Sequence, residues 1–293
     1  MKPPVPARDR CISLLGCGWL GLPLAENLIK DGYHVRGSTT RSSKLSMLSE
    51  LGIEPLLMRI DSGDENDWSP TPATERFFES GTMIVGLPPQ AEYGPEHFSS
   101  QMNAVLSRRG SSGFSHLVFL SSTSVYGSLQ GAVDETSPLA PDTDSGAILL
   151  ESERRLAKAA QEMGFALTIV RPGGLVGPGR HPGLFLAGRK DVKDPESPIN
   201  LVHQFDCAAA IANLVTDLPP PGESRSFDLV ANFHPTRREF YTQAATAIGV
   251  ETPTFTSQSD RSATKLVSGE KMRRRLPFRF DDILDSLGAR FRR

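Results

Sequence analysis

The stretch GCGWLG sets glycines at 16, 18 and 21, directly after the apolar run CISLL (11–15) and at the opening of a helical pattern. Glycines at that spacing, between a strand and a helix, are what a main chain needs to cradle a phosphate. Gly16 permits the tight turn. Gly18 lets a pyrophosphate approach the backbone, and Gly21 lets the helix lie close on the strand. The helix N-terminus adds N–H groups without intrahelical partners and the positive end of a dipole. Placed in a βαβ unit of the right length, the motif points to a dinucleotide. Trp19 and Leu20 lie inside the same loop and are counted among its contacts.

The end of the second strand selects the nucleotide. Its residues are Gly37-Ser38-Thr39-Thr40-Arg41-Ser42. An acid there would accept hydrogen bonds from a ribose 2′-hydroxyl, and none is present. Hydroxyls and a guanidinium suit a 2′-phosphate instead, because arginine meets phosphate in a bidentate, charge-assisted way. Ser38, Thr40 and Arg41 are therefore the expected contacts, with NADP the expected cofactor and NAD the alternative.

Short apolar runs alternate with helical patterns to position this loop. CISLL, YHVRG (33–37), IEPLLMRI (53–60), TMIVGL (82–87), HLVFLSS (116–122) and FALTIVRP (165–172) read as strands. LGLPLAENLIKDG (20–32) reads as a helix closed by Gly32, and SSKLSMLSELG (42–52) as a helix with a serine cap. Further helical segments fall near 73–79 and 96–109. SGAILLESERRLAKAAQEMG is the longest helix, with an apolar stripe at Leu149, Leu156 and Met163. Such alternation implies right-handed crossovers and a parallel, doubly wound sheet over residues 9–175. Residues 176–293 read as a smaller substrate lobe with return contributions to the sheet. It holds strands at INLVH and SFDLV and helices at 206–217 and 235–248. Asp206 is expected to cap the first of these helices.

The chain has 293 residues and a net charge of −2, so no general affinity for nucleic acid or membrane follows. Two basic clusters, MRRRLPFRF (272–280) and the closing ARFRR, read as solvated helix ends. Cys11, Cys17 and Cys207 fit neither a disulfide framework nor a zinc spacing, so no metal site is expected and a reducing cytoplasm is. Neither a signal peptide nor a membrane span is expected.

The motifs together resemble the extended, atypical short-chain dehydrogenase/reductases of the NAD(P)-dependent epimerase/dehydratase group, most closely their YeeZ-like subgroup. The resemblance rests on GCGWLG, HLVFLSSTSVYG (116–127), IVRPGGLVGPGRHPG (169–183) and NLVHQFDCAAAI (200–211). It implies a Rossmann fold and a set of roles. Asp61 falls on the acid near the adenine. Leu87 and Pro88, in VGLPP, fall on the loop beside the cofactor ribose. Pro172 and Gly173 fall on the segment at the nicotinamide end, and Ser122 on the catalytic serine or threonine. Thr123 and Ser124 stand where family dehydratases carry an acid pair, which speaks against that chemistry.

One departure is large. The family uses a tyrosine as acid/base with a lysine four residues on, since a nearby cation favours the phenolate. Aligning Glu153 with the family's helix glutamate puts Ser145 and Leu149 at those positions, and aligning Glu151 puts Thr143 and Ala147 there. Tyr126 and His181 are the substitutes considered, with Tyr93 a further one. Glu151 and Glu153 read as exposed helix charges. Two functions follow. One is an oxidoreductase or epimerase acting on a carbonyl or sugar-nucleotide-like small molecule, with a non-standard acid/base. The other is a non-catalytic dinucleotide sensor or scaffold. The sequence leaves the oligomeric state open, a homodimer being one option.

Overall fold

The computed structural model describes residues 10–60, 71–109, 113–256, 265–276 and 287. In chain order the elements are β1 (Cys11–Leu15), α1 (Gly21–Lys30), β2 (His34–Thr39), α2 (Leu45–Glu50), β3 (Glu54–Leu57), α3 (Pro72–Phe78), β4 (Thr82–Val85), α4 (Gly94–Arg109) and β5 (His116–Leu120). There follow β6 (Ala132–Val133), α5 (Asp144–Met163), β7 (Ala166–Pro172), β8 (Gly174–Val176), β9 (Leu201–His203), α6 (Gln204–Leu214), β10 (Ser224–Leu229), α7 (Arg237–Ala247), β11 (Leu266–Val267) and α8 (Glu270–Arg273).

Seven strands form one sheet in the order β10-β7-β5-β4-β1-β2-β3. The pairs β1–β2, β1–β4, β2–β3, β4–β5 and β5–β7 are parallel. β1, β4 and β7 are buried along their whole length, as strands covered on both faces must be. The strand order reverses between β1 and β4, and ligands of open α/β sheets bind at such a switch point. This is the doubly wound, Rossmann-like fold that the sequence implies.

The chain divides into two compact units. The first holds Met1–Ser121, Thr143–Val170 and Ile211–Ser226, and the second holds Ser122–Asp142, Arg171–Ala210 and Phe227–Arg293. In the first unit Ile12, Leu14, Val35, Met83, Ile84, Val118, Phe119 and Leu167 form the sheet's core. α5 is capped at its start by Thr143, whose side chain accepts the Gly146 amide, and closed by Gly164 in the left-handed region. Its stripe is shorter than expected. Leu149 and Leu156 are buried, but Met163, the last residue of α5, is 37% exposed.

The serine cap expected at Ser42 is not formed. Residues Ser42–Lys44 make a 3₁₀ turn with Arg41 at its cap position, and α2 begins only at Leu45. A tighter first turn places Ser42 inside the helix rather than before it.

In the second unit, β8 pairs with β9 and β6 with β11, both parallel. Asp206 does not cap α6. It lies within the first turn, where a carboxylate suits the helix dipole. The capping acceptor is His203, whose Nδ1 takes the Phe205 amide at 3.2 Å.

Candidate functional site

The glycine loop in the first unit shows why Gly16 and Gly21 are needed. Gly16 adopts φ +96°, and a Cβ there would lie 3.0 Å from the Gly86 carbonyl oxygen and 3.5 Å from Leu87 Cδ2. The loop after β1 and the loop after β4 thus meet backbone to backbone at the switch point, which brings Leu87 beside the glycines. A Cβ at Gly21 would sit 2.6 Å from the Gly16 carbonyl oxygen, so α1 lies against the loop with no room for a side chain. A Cβ at Gly18 would meet nothing within 4 Å. Of the three, this one faces open space, and a bare main chain beside open space at a helix N-terminus fits a pyrophosphate.

β2 holds the loop in shape. The Gly16 amide donates to Ser38 Oγ at 2.9 Å, and the Cys17 amide donates to the Ser38 carbonyl at 2.8 Å. Ser38 is buried, so its acceptor role serves the loop. Thr40 and Arg41 are exposed just beyond, and the Arg41 amide donates to Thr39 Oγ1 at 3.2 Å. Trp19 and Leu20 are half-buried, as is Leu87, and Pro88 is exposed. Cys17 is buried under the loop, and burial pushes its thiol up to about 11, which keeps it protonated and inert. Asp61 lies outside the described residues.

α5, also in the first unit, carries the positions where the family's acid/base pair is expected. Ser145 is half-buried in the first turn, Ala147 is exposed and Leu149 is 4% exposed. Glu151 is exposed, as expected. Glu153 is not: it is 3% exposed, and its Oε1 accepts a hydrogen bond from Ser121 Oγ at 2.5 Å. The signal was available, because Glu153 stands four residues after Leu149 and three before Leu156, on the buried face. A carboxylate there must be partnered. Tyr93 is 62% exposed and lies against His97, ring centroids 5.1 Å apart.

The second unit holds the remaining candidates. Ser122 precedes a 3₁₀ turn, Thr123–Tyr126, and its Oγ accepts the Ser124 amide at 3.1 Å. A hydroxyl that accepts one bond can still donate its proton. Tyr126 is fully buried. Its hydroxyl donates to Asp228, with Oδ1 and Oδ2 at 3.0 and 2.9 Å, and accepts from Arg171 Nη1 at 2.8 Å. Burial, then the Asp228 charge, pushes the phenol above its ordinary range despite the Arg171 cation. His181 is occupied on both nitrogens: Nδ1 accepts the Gly183 amide at 3.0 Å, and Nε2 donates to the Leu287 carbonyl at 3.2 Å. Those partners require the neutral Nε2–H tautomer. Pro172 is buried, and the Gly173 amide donates to the Leu229 carbonyl at 3.0 Å. Sequence reasoning missed Asp228, although an aspartate inside the apolar strand SFDLV signals a buried partner. Among the described residues no cluster of His, Cys, Asp and Glu could hold a metal ion, and no helix is long and apolar enough to cross a membrane.

The fold agrees with what the chain is similar to. It is 34% identical over 277 residues to Protein YeeZ of Escherichia coli (strain K12), covering 92% of this chain and 95% of that protein. A UDP-glucose 4-epimerase with UDP-glucose from Thermotoga maritima superposes with a TM-score of 0.76 at 18% identity, over 96% of this chain and 97% of that one. The UDP-glucose 4-epimerase of Thermus thermophilus, in complex with NAD, gives 0.77 at 17% identity with the same coverage. Both structures speak to the fold. Residues 14–190 match the model of the NAD dependent epimerase/dehydratase family, and the chain belongs to that family.

Proposed function

We propose that the protein binds a nicotinamide dinucleotide, NADP in preference to NAD, and acts as an oxidoreductase or epimerase on a carbonyl or sugar-nucleotide-like small molecule without the family's Tyr-x-x-x-Lys pair. The observation that carries the reading is the Gly16–Gly21 loop at the switch point, with Gly18 open and Gly21 closed. When bound, the cofactor supplies the hydride chemistry. The residues of the loop would hold the pyrophosphate, with Thr40 and Arg41 at the 2′-phosphate and Ser38 shaping the loop from beneath. Leu87, Pro88, Pro172 and Gly173 would line the rest of the cofactor. Residues 9–175 would carry the cofactor and residues 176–293 the substrate.

Ser122 is the residue proposed to touch the substrate. Its hydroxyl accepts one amide and keeps a proton to donate to an oxyanion as charge develops there. Tyr126 and His181 have the weaker claim, because their polar atoms are committed within the second unit. NADPH consumption by the wild type and by Ser122→Ala, over a panel of carbonyl compounds and UDP-sugars, tests the reading. Turnover that survives Ser122→Ala unchanged would remove that role.

A second reading, a dinucleotide sensor, is favoured by Leu149. At 4% exposure it is part of the core, where the alignment on Glu153 puts the lysine of the family's relay. Nucleotide binding without turnover on any substrate would support it.

One similar structure was solved with UDP-glucose, which supports the substrate class proposed, and another with NAD, which supports a nicotinamide cofactor. A cytoplasmic setting is proposed, with the oligomeric state left open and a homodimer one option.

A further inference from the structure

We propose that Tyr126, Asp228 and Arg171 form a buried clasp that fixes the Ser122 turn and the Gly173 segment together, so that Tyr126 is a positioning residue. The proposal rests on the reading of Ser122 as the donor to substrate.

The geometry converges on one oxygen. The Tyr126 hydroxyl has one proton, held 2.9 and 3.0 Å from the two oxygens of Asp228, and its lone pair takes Arg171 Nη1 at 2.8 Å. All three residues are buried, at 0%, 0% and 4% exposure for Tyr126, Asp228 and Arg171. Both partners carry charge, and burial removes the competition of water, so these are bonds of the strong kind. The guanidinium also lies 5.3 Å from the Tyr126 ring centroid. Asp228 is itself fixed, since its amide donates to Glu135 Oε1 at 2.9 Å.

Chain connectivity carries the constraint outward. Tyr126 is the last residue of the turn that Ser122 opens. Within it the Val125 amide donates to the Ser122 carbonyl at 3.3 Å, and the Gly127 amide to the Ser124 carbonyl at 3.1 Å. Gly127 follows at φ +55°, where a Cβ would lie 2.0 Å from the Ala140 carbonyl oxygen, so the turn has no freedom on its far side. Arg171 leads directly into Pro172-Gly173-Gly174. The Gly173 amide is bonded to Leu229, the neighbour of Asp228. A Cβ at Gly173 would stand 2.6 Å from the Asn200 carbonyl oxygen, so this segment too is tightly seated. One phenol oxygen therefore joins a turn, the end of β7 and β10.

The experiment compares the full-length wild type with Tyr126→Phe, Asp228→Asn and Ser122→Ala. Hydrogen exchange is followed by mass spectrometry over residues 122–127 and 171–174, together with NADPH titration and turnover on the carbonyl and UDP-sugar panel. In Tyr126→Phe, exchange should quicken about tenfold or more in both segments, while residues 11–30 keep their protection. NADPH affinity should weaken severalfold, because Pro172 and Gly173 stand in the loosened segment, and on any substrate the wild type turns over, kcat should fall about tenfold with little change in KM. Asp228→Asn keeps the shape and one acceptor oxygen and should fall between. If Tyr126→Phe does not fold, Asp228→Asn supplies the same comparison. Unchanged exchange in either segment overturns the clasp, whether or not a substrate is found. Full turnover in Ser122→Ala overturns the substrate role of Ser122 instead and leaves the clasp standing.

Discussion

Ser121 Oγ donates to Glu153 Oε1 at 2.5 Å between two buried side chains, which ties the carboxyl end of β5 to the middle of α5. Removing the hydroxyl takes a hydrogen bond from a buried carboxylate. Ser121→Ala is expected to cost about 1–3 kcal/mol. Urea unfolding should show a lower midpoint with an unchanged m-value. A midpoint equal to the wild type would mean that the contact contributes nothing net.

Gly18 and Gly21 should fail in opposite ways. A side chain at Gly18 meets open space, so Gly18→Val is expected to melt like the wild type and to lose NADPH binding. At Gly21 the added carbon is 2.6 Å from a backbone oxygen, so Gly21→Ala is expected to lose about 1–3 kcal/mol of stability. Thermal melts and fluorescence titration on both variants check the pair. Retained NADPH affinity in Gly18→Val would make the loop only a turn.

Arg41 should set the nucleotide preference. It is exposed beyond β2, with no acid nearby in the Gly37–Ser42 stretch. A charge-assisted contact to the 2′-phosphate is worth about 1.5–3 kcal/mol, roughly ten- to a hundredfold in affinity. NADPH should bind more tightly than NADH, and Arg41→Asp should narrow or reverse the gap. Equal affinities in the wild type would refute the assignment.

His116 should make stability fall in acid. It is fully buried on β5, with Nε2 2.9 Å from Thr168 Oγ1 and no hydrogen-bond partner at Nδ1. Burial lowers its pKa from 6.5 to about 4, and the Asp217 charge only partly opposes this. Below pH 6.5 the unfolded chain takes up a proton that the folded chain refuses until about pH 4. The neutral ring's contribution is therefore intact above pH 6.5 and is lost as the pH falls through that window, at about 1.4 kcal/mol for each pH step of one. Urea unfolding at pH 7 and pH 4.5 should show a smaller drop for His116→Gln than for the wild type. Equal drops would assign the acid sensitivity to other groups.

How far the sequence could be read follows from what kind of signal each feature leaves. The alternation of β1, α1, β2 and their successors is written in apolar runs and closing glycines, so the parallel sheet was legible. So was the glycine loop, because Gly16 and Gly21 answer to local steric needs while Gly18 leaves its side open. The pairs β6–β11 and β8–β9 were not, since strands of two or three residues carry no period and their partners are distant in sequence. The start of α2 was misplaced because a 3₁₀ turn and an α-helical turn use the same serines and lysine. Glu153 was misjudged and Asp228 passed over for another reason. Charge suggests exposure, and only their places among Leu149 and Leu156, and within SFDLV, argued for burial. Their partners, Ser121 and Tyr126, are set by tertiary contacts that no local pattern encodes.

The most direct measurement is stopped-flow NADPH absorbance over carbonyl compounds and UDP-sugars, with the wild type, Ser122→Ala and Ser145→Tyr/Leu149→Lys side by side. General acid–base assistance is worth about 10²–10⁴-fold. The wild type is expected to bind NADPH, to run far below the usual ~1–10³ s⁻¹ of enzymes and to lose its remaining rate in Ser122→Ala. Leu149 is core, so the double variant should be destabilised by a lysine on the buried face of α5. Wild-type turnover at ordinary enzyme rates, indifferent to Ser122→Ala, would contradict the account.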